Sequence, residues 1–174
     1  MNKPRFRFLA GMILVAAVSR LIPHPPNFSP IAALALFGGA QFADKRLAFL
    51  VPLAAMFLSD LVLGLHSLIP VIYGSFALIV CLGFWVRRNP KIWRIGGAAV
   101  IGAILFFVTT NFGVWLLGSF YSKTGTGLLA CYTAAIPFFW NTLTSDLVYT
   151  VALFGGLHAA EWRWPVLRPT PATC

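Results

Sequence analysis

Leu68-Ile69-Pro70-Val71-Ile72-Tyr73-Gly74-Ser75-Phe76-Ala77-Leu78-Ile79-Val80-Cys81-Leu82-Gly83-Phe84-Trp85-Val86 is the stretch that decides the fold class. These 19 residues carry no charge, and Arg87 and Arg88 follow at once. At ~1.5 Å per helical residue they reach ~28 Å, about the thickness of a bilayer's hydrocarbon core. The segment therefore reads as a membrane-spanning helix. Tyr73, Ala77, Cys81 and Trp85 recur at intervals of four, which predicts one shared helix face. That face sets a phenol, a gap and a soft thiol in a row.

The rest of the chain has the same character. Of its 174 residues 59% are hydrophobic and only 10% are charged, which points to one polytopic membrane domain over 1–174 rather than a soluble catalytic domain. The net charge of +9 is not a nucleic-acid signature, because the basic residues fall in the gaps between apolar runs, where they face anionic headgroups. Cys81, Cys131 and Cys174 show no CxxC or other paired spacing, so neither a disulfide framework nor a zinc site is indicated.

The expected fold is all-α, with six transmembrane helices at about 6–22, 30–43, 47–65, 68–86, 92–117 and 131–157, and a cytoplasmic tail at 158–174. Met1 to Ile22 has the basic head and apolar run of a secretory signal, with a weak cleavage-like triplet at Ala17-Val18-Ser19, but is read as a first span that is retained. Pro25 and Pro26 end that span, and Asn27 or Ser29 is placed to cap the next helix. In the second span Ala35, Gly39 and Ala43 form a small-xxx-small stripe that admits a close helix neighbour. With six spans and a cytoplasmic N-terminus, Lys3, Arg5, Arg7, Lys45, Arg46, Arg87, Arg88, Lys91, Arg94, Arg163 and Arg168 lie inside, which is 11 of 13 basic residues; Arg20 and Lys123 lie outside.

The outward connections carry the polar groups suited to recognition: His24, Asn27, His66, Tyr121 and Lys123. Asp60 and Asp146 are the carboxylates inside spans, where a charge costs about 2.5–3.5 kcal/mol on insertion scales. Asp60 either bonds a polar solute or a proton, or is a structural carboxyl that is capped, protonated or paired with Lys or Arg; of the same alternatives Asp146 reads as the structural one. His24 and His66 are solute ligands or interfacial histidines solvated at loop ends. Cys81 is inert packing or, with a soft metal centre, a thiolate ligand. Two short matches hint at an internal repeat: Asn27-Phe28 with Asn111-Phe112, and Ser59-Asp60-Leu61-Val62 with Ser145-Asp146-Leu147-Val148.

Six short spans with recognition loops one, three and five facing out resemble the S-component of energy-coupling-factor (ECF) vitamin transporters. The run Arg20-Leu21-Ile22-Pro23-His24-Pro25-Pro26-Asn27-Phe28-Ser29-Pro30-Ile31-Ala32-Ala33-Leu34, then Phe37-Gly38-Gly39, Ser59-Asp60, Gly64 and Tyr73, is similar to the BtuM group of solitary S-components assigned to cobalamin (vitamin B12) uptake. The resemblance implies uptake across a bacterial cytoplasmic membrane, with a corrinoid in an outward pocket and a cysteine on its cobalt. Carried over, Cys81 is the cobalt ligand, and its thiolate promotes loss of the opposite axial group such as cyanide. Tyr73 would pack on the corrin, and His24, Asn27, Asp60 and His66 would bond its amide rim. The Ala-xxx-Ala pattern by which S-components dock on their membrane partner is missing from span one, where Ala10 is followed by Leu14 and Ala16 by Arg20. This departure implies that no dedicated ECF ATPase module is used. The rivals are an S-component for another vitamin, a membrane-embedded enzyme using Asp60 and His66, and a structural subunit of a larger complex.

Overall fold

The computed structural model describes residues 3–169, and among them the chain is all-helical, without a β-strand. In order come α1 (Lys3–Val18), α2 (Ile31–Gln41), α3 (Lys45–Leu63), α4 (Ile69–Arg88), α5 (Ile92–Leu117), α6 (Gly125–Thr150) and α7 (Gly156–Arg163). A 3-10 turn, Ser19–Leu21, follows α1, and a π-helical turn, Val151–Gly155, joins α6 to α7. Three helices, α3, α4 and α5, are long and apolar enough to cross a membrane, and α2 is a shorter apolar helix.

α2 forms the centre. It has no charge, and Ala32 through Ala40 are all buried, as expected of a helix that is apolar on every side. Its tightest neighbour is α4. The contact depends on the stripe of small residues: a Cβ on Gly39 would strike the Val80 carbonyl oxygen and come within 2.9 Å of the Gly83 Cα. Phe37, Phe76, Ile79, Val80, Leu9 and Ile13 fill the core around this crossing. Ala43, the third residue expected in the stripe, is exposed, because α2 stops at Gln41.

Outward faces are apolar as well. Leu50, Phe57, Leu58 and Leu61 on α3, Leu78 on α4, and Ile101, Ile104 and Val108 on α5 are exposed. At one end of the bundle Arg5 holds three elements: its Nη1 donates to the Glu161 carboxylate and the Leu167 carbonyl, and its Nη2 donates to Gln41 Oε1 at 3.0 Å. At the same end Arg87 donates to the carbonyl of Phe42.

Two boundaries differ from the sequence reading. The last long helix starts at Gly125 and not near residue 131, because the Thr124 hydroxyl accepts from the Gly127 amide and caps it. It also continues through the π turn to Arg163, so residues expected from 158 onward as a tail are helical that far. Cys174, for which no role is expected, lies outside the described residues.

Candidate functional site

The connection between α1 and α2 is a built structure. The Phe28 amide donates to the Pro25 carbonyl at 3.0 Å, and Asn27 sits at φ +62°. Proline in the second position and asparagine at positive φ in the third are what a type II turn asks for. The turn is held from α6: Asn141 Nδ2 donates to the Pro26 carbonyl at 3.0 Å, Ser145 Oγ donates to the Ser29 carbonyl at 3.1 Å, and the Phe28 and Tyr149 rings pack 6.2 Å apart. His24 Nδ1 lies 2.6 Å from the Ile22 carbonyl. A carbonyl only accepts, so Nδ1 carries the proton and donates, which leaves Nε2 free of this bond.

The start of that connection is anchored by charge. Arg20 Nη1 donates to Asp60 Oδ1 at 2.8 Å and to Ser59 Oγ at 2.5 Å. The Tyr73 hydroxyl donates to Asp60 Oδ2 at 2.8 Å. Both oxygens of Asp60 are therefore engaged, by α4 and by the turn after α1. Ion pair and phenol together satisfy a carboxylate that is only 5% exposed.

Its other end meets a second carboxylate. Asp146 on α6 is 1% exposed and accepts from the backbone amide of Ala33, in the first turn of α2. A carboxylate there answers both an orphan amide and the positive end of the helix dipole. Neither Asn27 nor Ser29 caps α2, which has Pro30 at its cap position without a side-chain bond. Asp146 Oδ2 and the Ser29 hydroxyl remain buried without a partner.

Between these two anchors lies a cavity of about 240 Å³. Its polar lining is Arg20, His24, Asn27, Ser29, Thr142 and Asp146, and its apolar walls are Ile31, Ala32, Leu63, Ile72 and Phe106. The turn after α1 and every helix from α2 to α6 contribute, so the cavity sits where the bundle converges.

Of the residues expected to form a site, His24 and Asn27 line this cavity, and Asp60 and Tyr73 stand behind Arg20. His66 is exposed in the α3–α4 connection and does not line it; Asp60, its expected partner in a dyad, bonds Arg20 and Tyr73 instead. Cys81 is exposed and does not line it either. The expectation of a dry pocket in front of its sulfur fails for a geometric reason. A four-residue step advances the helix by ~400°, so Cys81 is rotated ~80° from Tyr73. The buried face of α4 is Ser75, Phe76, Ile79, Val80, Gly83 and Val86, and Cys81 falls outside it. Cys131 is the buried thiol; its Sγ lies 3.5 Å from the Asn111 carbonyl. Among the described residues no group of three or more His, Cys, Asp or Glu side chains is placed to hold a metal ion.

The sequence reading did not single out Arg20; for Asp146 it leaned to a structural carboxyl, and the bond to the Ala33 amide is of that kind. The signal for Arg20 was present: Asp60 needed a partner, and on the expected orientation only Arg20 and Lys123 were basic on its side.

Residues 1–167 match the model of a family of unknown function, DUF6580. The chain belongs to this DUF6580 family. The match takes in every residue of the cavity, so the site lies within the family's shared span. No curated protein and no solved structure matches the chain.

Proposed function

We propose that this chain crosses the membrane six times with both termini in the cytoplasm, and that it captures a small solute from the outer side as the binding component of an uptake system, in the manner of an S-component. One observation carries the reading: a cavity with six polar residues in its lining, at the convergence of α2 to α6 and the α1–α2 connection. Convergent polar groups in an otherwise apolar hollow are the ordinary form of a small-molecule site. The exposed apolar faces of α3, α4 and α5 support burial in lipid, since surfaces of this kind are not left to water. The clustering of basic residues at the Arg5 and Arg87 end supports the orientation.

The run that carries the S-component resemblance, beginning at Arg20, is also the run that builds the cavity wall, and this favours cobalamin as a second reading. The geometry that the second reading needs is different. A corrinoid does not fit in 240 Å³, which is below the ~300–1,000 Å³ usual for drug-sized ligands. Thiolate ligation would further require Cys81 to turn inward from the exposed side of α4. The first reading therefore takes a smaller solute and leaves Cys81 without a part in binding.

The test is to purify the full chain from cells, denature it, and analyse the released small molecules by mass spectrometry. Wild type should carry a solute that Thr142→Phe, which fills the cavity, has lost. Equal retention by the filled variant would overturn the assignment of the site, and cobalamin in the extract would favour the second reading.

A further inference from the structure

Within the cavity one carboxyl group has no charged partner. Arg20 is matched by Asp60 at 2.8 Å, so that pair brings no net charge. Asp146 is not matched. It is 1% exposed and lines the cavity; among the described residues no basic side chain is paired with it, and its Oδ2 is buried without a partner while the other oxygen is engaged by Ala33. Ser29 belongs to the same lining, and its hydroxyl is also buried without a partner among the described residues. An isolated buried carboxylate is among the most costly arrangements in a protein, and more so at membrane depth. A proton or a cationic group removes that cost, and a cation that also gains contacts with the walls competes with the proton for the site.

The remaining lining narrows the choice. His24, whose Nδ1 bonds the Ile22 carbonyl, has Nε2 left over, and Ser29 can accept as well. The lining thus holds groups able to accept at Asp146, Ser29 and His24, while its charged donor, Arg20, is already bound to Asp60 and Ser59. Ile31, Ile72 and Phe106 provide an apolar bed beside them.

We propose that the cavity selects a small cationic amine, with its ammonium or amidinium nitrogen on Asp146 Oδ2 and Ser29 Oγ and its apolar or aromatic body between Ile72 and Phe106. This inference rests on the solute-binding reading of the cavity and names the class of solute.

Benzylammonium is a suitable probe, being one ring and one methylene with a single positive charge. Benzyl alcohol and benzoate are its neutral and anionic matches. Titration calorimetry on the full chain in lipid nanodiscs should show saturable binding of benzylammonium at least roughly tenfold tighter than either match. In Asp146→Asn, which keeps an acceptor for the Ala33 amide, that preference should disappear while helical content is retained. Wild type preferring benzoate, or not discriminating among the three, would overturn the cation assignment and leave the solute-binding reading standing. If Asn at 146 fails to fold, the probe series on wild type decides the matter alone. Saturable binding of none of the three overturns the cation assignment, and loss of co-purified solute as well would overturn both.

Discussion

Arg20 and Asp60 lie 40 positions apart in sequence and meet at 2.8 Å, with side chains only 12% and 8% exposed. The pair ties the turn after α1 to the last turns of α3. Removing one partner strands the other charge away from water. Arg20→Ala and Asp60→Ala should each lower stability by about 3–5 kcal/mol. Combining Arg20→Met with Asp60→Leu should recover part of the loss, because no charge is left stranded. Thermal unfolding in detergent checks this, and strictly additive losses would show that the two residues are not coupled.

Tyr73 gives a graded version of the same experiment. Its hydroxyl donates to Asp60 Oδ2 at 2.8 Å, and its ring packs on Phe76 with centroids 5.9 Å apart. Tyr73→Phe keeps the ring and removes the donor. The expected cost is about 1.5–3 kcal/mol, the usual range for a bond to a charged group. A change under ~0.5 kcal/mol would mean that the phenol contributes little to holding Asp60.

The crossing of α2 and α4 predicts a contrast between two glycines. A Cβ at Gly39 meets backbone atoms of Val80 and Gly83, which cannot rotate aside. Gly39→Ala should therefore destabilise by about 1–3 kcal/mol. Gly11 in α1 has nothing within 4 Å of the same position, so Gly11→Ala should be neutral or stabilise by up to ~1 kcal/mol. Melting temperatures of the two variants, measured side by side, decide it.

These contacts also show what was readable beforehand. Apolar runs and their charged gaps placed the first five helices to within about four residues, because hydropathy and proline act locally; the sixth was missed by six residues at each end, where a Thr124 cap and a π turn extend it. The α2 stripe at Ala35 and Gly39 was readable for the same reason. The pairing of Arg20 with Asp60 was not, since a charge counted as a topological marker was also a tertiary partner 40 residues away. Asp146 was found and read as structural, but its partner was not legible: a carboxylate that caps a helix over a hundred residues distant leaves no local pattern. Cys81 failed through angle rather than through residue type. A four-residue spacing drifts around the helix, and after two steps the thiol had left the face that Tyr73 occupies.

Cys81 supplies a prediction of its own. It is exposed, and its neighbours on the buried face of α4 do not depend on it. Cys81→Ser should change stability by less than ~0.5 kcal/mol. Added cobalamin should give the same visible spectrum with wild type and variant. A spectral shift present only in wild type would restore the thiolate–cobalt bond and require α4 to rotate on binding.

The last prediction concerns the count of spans. Lys91 lies in the connection between α4 and α5, and Thr126 opens α6 at the far end of α5. If both helices cross the bilayer, these positions are on opposite sides. The proposed orientation puts Lys91 in the cytoplasm, with Arg87, Arg88 and Arg94 beside it. In a background with the native cysteines replaced, Thr126→Cys should react with a membrane-impermeant maleimide on intact cells. Lys91→Cys should react only after permeabilisation. The opposite pattern would invert the orientation and put the α1–α2 connection, with its cavity, on the cytoplasmic side, where capture of an external solute is impossible. Labelling of both on intact cells would mean that α5 does not cross, and the six-span arrangement would fail with it.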